Sequence, residues 1–79
     1  MQIALIILKS GIHLITKAEQ LDEEPSCHME NPYMIKEDGT LEPWPRYTND
    51  TDILLYSETI ATIVEPDDEI RKKYEIVTK

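Results

Sequence analysis

The triplet Lys9-Ser10-Gly11 separates two apolar stretches, residues 1–8 and 12–21, and this break limits the fold more than any other feature. Ahead of it, MQIALIIL is a continuous Ile- and Leu-rich run, too short for a typical helix. It suits a strand buried on both faces. Gly11 has no Cβ and tolerates φ > 0, so Ser10-Gly11 can close a tight turn straight into a second strand. Beyond the turn, Ile12, Leu14, Thr16 and Ala18 alternate with His13, Ile15, Lys17 and Glu19. One face is for a core and the other is mixed, as in a half-exposed strand. The acidic segment 22–26 then ends the pair in a loop, because Pro25 lacks a ladder donor and clustered carboxylates repel in a flat strand.

Three more strands follow from the same rules. Residues 27–36 form one, although Pro32 has no N–H and requires an edge position, a bulge or a break near Asn31. From Lys36 to Asp52 turn signals dominate: Asp38-Gly39 favours a type I′ hairpin turn, and Pro43 and Pro45 bracket Trp44. That segment is expected to be a long connection or an extended hairpin tip. Ile53–Tyr56 and Thr59–Val64 are short strands joined around Ser57-Glu58 and ended by Pro66. Five short strands in about 65 residues imply a small, mainly β barrel over residues 1–66. Its expected core is Ile3, Leu5, Ile7, Leu14, Leu54 and Ile63. In the extension 67–79, Asp67 can cap a helix, acids fill its first turn, and Ile70, Tyr74 and Val77 fall at i, i+4 and i+7. A short amphipathic C-terminal helix is expected, with a final strand Tyr74–Thr78 as the alternative.

With 79 residues the chain is one domain. A chain this short buries only about 60–65% of its extended surface. Its single Cys27 rules out an intramolecular disulfide framework, which leaves oligomerisation as the remaining aid to stability. The sequence opens Met-Gln-Ile without a basic segment, and its longest apolar run, Ile3–Leu8, is far short of the ~20 residues a membrane helix needs. A soluble, intracellular protein with no membrane partner is expected, in which the glycosylation pattern at Asn49 has no meaning. The net charge of −8 opposes simple phosphate binding. Glu19, Asp22, Glu23, Glu24, Glu30, Glu37, Asp38 and Glu42 fall in one segment opposed only by Lys36. They are either a solvated surface or a repulsive face that confines any nucleic-acid site elsewhere.

The order of elements and the spacing of the first turn and loop resemble the Sm and Sm-like (LSm) family of ring proteins associated with nucleic acid. Leu8, Lys9 and Gly11 match that family's Leu-Lys-x-Gly turn, and Asp22 stands where its next loop opens with Asp. Ile53, Leu54, Leu55, Ile60, Ile63 and Pro66 echo its second motif. The resemblance spans about residues 3–66 and implies a strongly bent five-stranded barrel. It also implies a homo-oligomeric ring in which the fourth strand of one subunit pairs with the fifth of the next. Family members hold a base between an aromatic or His and an Arg, with an Asn reading the base edge. Here Glu24 takes the aromatic position, Ser26 that of Asn, Tyr56 that of Arg and Ser57 that of Gly. The binding residues the resemblance implies for single-stranded RNA or DNA are therefore Lys9, Asp22, Ser26, Tyr56 and Ser57, with Tyr56 stacking on a base and Asp22 and Ser26 meeting polar edges. Read from the residues alone, Tyr56 is ordinary strand packing, and a base-stacking role comes only from the resemblance.

Other chemistry finds little footing. Cys27 and His28 point to opposite faces of a strand, and neither they nor His13 and Asp22 have zinc-ligand spacing, so no metal is expected. Cys27 reads as a buried structural thiol rather than a nucleophile. Gly11 and Gly39 are the only glycines, so there is no glycine-rich phosphate loop. No enzyme and no cofactor are expected. Two functions remain: a ring that binds single-stranded nucleic acid if Lys9, Lys17, Arg46, Arg71, Lys72 and Lys73 converge, or an oligomeric adaptor whose acidic face or Trp44 loop engages a basic protein. Another small barrel, of SH3 or OB type, is the alternative fold.

Overall fold

In the computed structural model, which describes residues 1–79, the first apolar stretch is strand β1 (Gln2–Leu8) and the second is β2 (His13–Gln20). The turn between them is closed by Leu8 N–H on Ile12 O and Gly11 N–H on Leu8 O, both at 2.9 Å. Gly11 sits at φ 95°, where a side chain would be strained. This turn sets the register Ile7↔His13, Ile6↔Leu14 and Leu5↔Ile15. Residues directly opposed in a ladder share a face. Ile6 and Leu8 therefore enter the core with Leu14, and are 0% and 7% exposed.

The expected core is corrected by this register. Of Ile3, Leu5, Ile7, Leu14, Leu54 and Ile63, only Leu14 is fully buried, while Leu54 and Ile63 are 52% and 37% exposed. Ile3, Leu5 and Ile7 are half-buried on the other face of β1. A run that is apolar at every position carries no phase of its own. The observed core is Ile6, Leu8, Leu14, Cys27, Met29 and Leu55, with Ile12, Met34, Trp44, Ile53 and Ile60 packed around it.

Strand β3 (Cys27–Ile35) pairs antiparallel with β2, and the ladder slips between Ile15 and Lys17, opposite Asn31-Pro32. Asn31 has φ 53° and Pro32 is buried, so the irregularity expected there is a β-bulge. On the far side of β3 lie β4 (Leu41–Pro43), along Tyr33–Ile35, and β5 (Asp52–Leu55), along Cys27–Glu30. They are one strand interrupted by the excursion 44–51, which is why six strands stand where five were expected. The β3–β4 turn is also corrected. Gly39 has φ 85° but Asp38 has no positive φ, and Gly39 N–H reaches Lys36 O at 2.9 Å, so the turn is a four-residue turn ending in a glycine bulge rather than type I′.

Strand β6 (Ile60–Val64) pairs with β1, giving the antiparallel order β4-β3-β2-β1-β6 with β5 beside β3. In a flat sheet β5 and β6 would lie about 19 Å apart. A connector made chiefly of one 3-10 turn, Ser57–Thr59, is too short for that separation, so the sheet curls on itself. It is not closed into a barrel, because β5 and β6 share no ladder. The fold is thus mainly β with a short C-terminal helix.

That helix, α1 (Asp68–Val77), begins at Asp67, whose side chain accepts the Ile70 N–H at 2.9 Å. Asp67 is the expected cap. Of the expected apolar face, Tyr74 is fully buried, Ile70 half-buried and Val77 44% exposed. The Tyr74 ring meets Tyr33 edge to face at 6.0 Å, on the sheet face that carries the row Leu5, Ile15 and Tyr33. Its hydroxyl accepts the Lys17 N–H at 3.2 Å and faces Glu30 O and Asn31 O, each at 3.0 Å, as donor. One side chain thus fills the gap that the bulge leaves in the β2–β3 ladder. The helix is neither long nor apolar enough to cross a membrane.

Candidate functional site

The curl of the sheet brings two loops together. The β2–β3 loop carries Asp22, Glu23, Glu24, Pro25 and Ser26, and the β5–β6 connector carries Tyr56 and Ser57. They meet where both Glu24 carboxylate oxygens accept the Ser57 backbone N–H, Oε2 at 2.9 Å and Oε1 at 3.3 Å. Ser57, chiefly through its side chain and then through its backbone N–H, holds the Glu24 carboxyl below its ordinary value against desolvation, and Ser26 adds the least. Glu24 is exposed and ionised at neutral pH, so the junction carries a fixed negative charge.

Tyr56 adjoins this junction, 52% exposed, with its carbonyl accepting Thr59 N–H at 3.1 Å and Thr59 Oγ1 at 2.8 Å. These bonds fix the backbone that carries the ring. Ser26 is half-buried beside Glu24, and its carbonyl accepts Leu21 N–H at 2.7 Å, which pins the base of the loop. Asp22 lies exposed on that loop without a side-chain hydrogen bond. Of the five residues singled out in the sequence, Ser26, Tyr56 and Ser57 come together and Asp22 lies on the same loop. Lys9 does not join them. Its backbone N–H donates to Thr59 O at 2.9 Å, and it lines a depression that none of the other four residues lines.

The remaining candidates are dispersed. His13 Nδ1 lies 2.9 Å from Gly11 O, and His28 Nε2 lies 3.1 Å from Asp52 Oδ1. Cys27 is buried, and burial pushes its thiol above the ordinary value. No group of three His, Cys, Asp or Glu side chains is arranged to hold a metal ion. The cations are spread out: Arg46 pairs with Glu42 at 3.1 Å, and Lys73 donates to Gly39 O at 3.1 Å and lies 3.9 Å from Glu69.

Two features escaped sequence reasoning. Glu24 stood at a position assigned by analogy to an aromatic ring, and its capping of Ser57 depends on the curl that brings residues 24 and 57 together. The Tyr74 hydroxyl fills a gap that only the bulge creates; Asn31-Pro32 in β3 was the available signal. The chain belongs to a family of unknown function (DUF6561), which it matches over residues 1–79. No curated protein sequence matches it.

Proposed function

We propose that this chain is the subunit of an Sm-like homo-oligomeric ring, with the junction of the β2–β3 loop and the 3-10 turn as its ligand site. The observation that carries the reading is the Glu24–Ser57 contact, which joins the two loops that the Sm resemblance assigns to one site. The outer edges of β5 and β6 support it. Each strand is laddered on one side only, and Leu54, Ile63 and Val64 are 52%, 37% and 43% exposed. An unpaired apolar edge of this kind favours strand addition. Pairing of β5 with β6 of the next subunit would satisfy backbone donors and acceptors and bury area that the monomer leaves in water.

Within such a ring, Tyr56 stacks on an unpaired base of single-stranded RNA or DNA while Asp22 and Ser26 meet its polar edge. Tyr56→Ala then weakens binding by about 1–3 kcal/mol with the fold intact. Titration of oligo-U, oligo-A and single-stranded DNA at rising salt tests this. Affinity that falls with salt, and falls again in the variant, supports it. A monomer at micromolar concentration by light scattering removes the ring.

A specific observation favours a second reading, an adaptor for a basic protein segment. Asp22, Glu23 and Glu24 are all exposed at the junction, and Glu24 is held in its charged form. Carboxylates here repel phosphates and attract Lys or Arg. Binding of a Lys/Arg-rich peptide with no binding of any oligonucleotide decides for the adaptor.

A further inference from the structure

Beside the 3-10 turn, lined by neither Glu24 nor Tyr56, is a depression of about 460 Å³. Its apolar lining is Leu8, Ile12, Leu55 and the half-buried Trp44, and its polar lining is Lys9, Ser10, Glu58 and Thr59, with Lys9 and Glu58 exposed. The walls are anchored: Lys9 N–H bonds Thr59 O at 2.9 Å, and Trp44 N–H bonds Pro32 O at 3.0 Å. The volume lies within the roughly 300–1,000 Å³ of small-ligand pockets. Lys9 and Glu58 carry opposite charges and both line the depression, yet they form no ion pair with each other or with any other residue. Neither side chain makes a hydrogen bond within the chain. Both are free for a ligand that offers an anion at one end and N–H donors at the other.

From this arrangement we infer that the depression is a guanine-nucleotide slot, with the base on the Trp44 face, its N–H edge on Glu58 and its phosphate on Lys9. The chemistry selects the base. A carboxylate presents two acceptors side by side, and guanine presents two adjacent donors, the ring N1–H and the exocyclic amine. Adenine and cytosine offer the amine alone, and uracil a single N–H between two carbonyls. A flat ring on an indole is stabilised by stacking whichever base it is, so Glu58 sets the preference and Lys9 adds the charge-assisted contact to phosphate. The slot is distinct from the Tyr56 junction. It extends the nucleic-acid reading by naming a preferred base, and it stands or falls separately from that reading.

Trp44 is the only tryptophan, so intrinsic fluorescence reports on the slot directly. Titration of the full chain with guanosine 5′-monophosphate is expected to change the Trp44 emission saturably. Inosine 5′-monophosphate, which lacks the exocyclic amine, binds about tenfold more weakly, as loss of one hydrogen bond to a charged group predicts. Glu58→Gln weakens the guanine nucleotide by a similar factor and abolishes its advantage over inosine. Lys9→Ala reduces it to the level of guanosine. Tyr56→Ala leaves it unchanged, so oligo-U binding through Tyr56 without a guanine response would retain the ring reading and remove this one. A guanine-containing oligonucleotide compared with the free nucleotide shows which source the slot takes, and saturable binding of either sustains the inference. Equal responses to all four nucleoside monophosphates, no response in the millimolar range, or a response only to a proline-rich peptide overturns it.

Discussion

Replacing Tyr74 by Phe tests whether one hydroxyl holds the helix and the sheet together. The ring stays, along with its edge-to-face contact on Tyr33, so only the bonds to Lys17 N–H, Glu30 O and Asn31 O are lost. The carbonyls are cheaper to strand, because each has a second lone pair and Glu30 O still accepts the Thr16 hydroxyl at 3.0 Å. The Lys17 N–H, next to a fully buried Thr16, is the expensive group. Leaving a buried donor unpaired costs about 1–3 kcal/mol, and the expected loss is about 2 kcal/mol. In a domain of this size that lowers the melting temperature by about 8–16 °C. Tyr74→Ala adds the cost of a cavity, about 3–5 kcal/mol, and approaches the whole stability of a small domain, so Phe is the informative change.

Urea unfolding at matched protein concentration gives the number, and hydrogen exchange at the Lys17 amide gives its location. A second arm uses pH. Burial, chiefly, raises the Tyr74 hydroxyl above its ordinary value of 10.0. The folded state therefore favours the protonated phenol, and this contribution is present below the unfolded value and lost as pH rises through the folded one. Cys27 is shifted in the same direction by burial, so the comparison belongs in a Cys27→Ala background. Tyr74→Phe should flatten the remaining alkaline decline. A variant within about 0.5 kcal/mol of the parent, with an unchanged alkaline limb, would mean that the bulge needs no hydroxyl.

Asp67→Ala removes the acceptor of Ile70 N–H and should cost about 1 kcal/mol in a thermal melt, with Asp67→Asn near the parent. Gly39→Ala should cost about 1–2 kcal/mol, and more than Gly11→Ala. Both glycines have positive φ, but a Cβ at Gly39 would also lie 3.3 Å from Lys73 Nζ, whereas Gly11 faces open space. Glu24→Gln should soften acid unfolding: the lowered Glu24 value means its contribution is present above about 4.5 and lost as pH falls through the folded value, and the amide has none to lose.

Punctuation was the most legible part of the sequence. Gly11, Pro25, Gly39 and Pro66 mark real ends of strands or turns, and Asp67 caps the helix where its acidic first turn said it would. Phase was legible only where apolar and polar residues alternate. β2 shows its core face through Leu14, whereas β1, apolar throughout, shows none until the Gly11 turn opposes Ile6 to Leu14. Carrying the phase of β2 back through the turn would have identified Ile6 and Leu8. Leu54 and Ile63 failed for a different reason. Leu54 is opposed to His28, on the face away from Cys27 and Met29, whereas Ile63 is opposed to Ile6 on the core face but lies in an edge strand laddered on one side only, and local pattern shows neither pairing. The interruption of the fourth strand was legible as a string of turn residues but not as a return to the same edge of β3, since that return depends on the bulge at Asn31-Pro32.

The candidate site divides along the same line. The Sm resemblance, not spacing, is what paired residues 22–26 with 56–57 in the sequence, and the Glu24–Ser57 bond joins those two loops. The resemblance was not enough to say what the pair does, because function depends on which atoms face solvent there. Glu24 spends acceptor capacity on Ser57 N–H and still presents a charge, so whatever binds must tolerate or use a carboxylate. Lys9 was grouped with that site by motif, yet its backbone bonds Thr59 and it lines a separate depression. The separation matters chemically. A lysine beside Glu24 would be paired with it, whereas Lys9 lines the Trp44 depression with Glu58 and is left without an ion-pair partner. The single turn Ser57–Thr59 therefore divides an anionic surface with Tyr56 from a slot of mixed charge with Trp44, and a ligand that discriminates between the two aromatic residues reads out which of them is used.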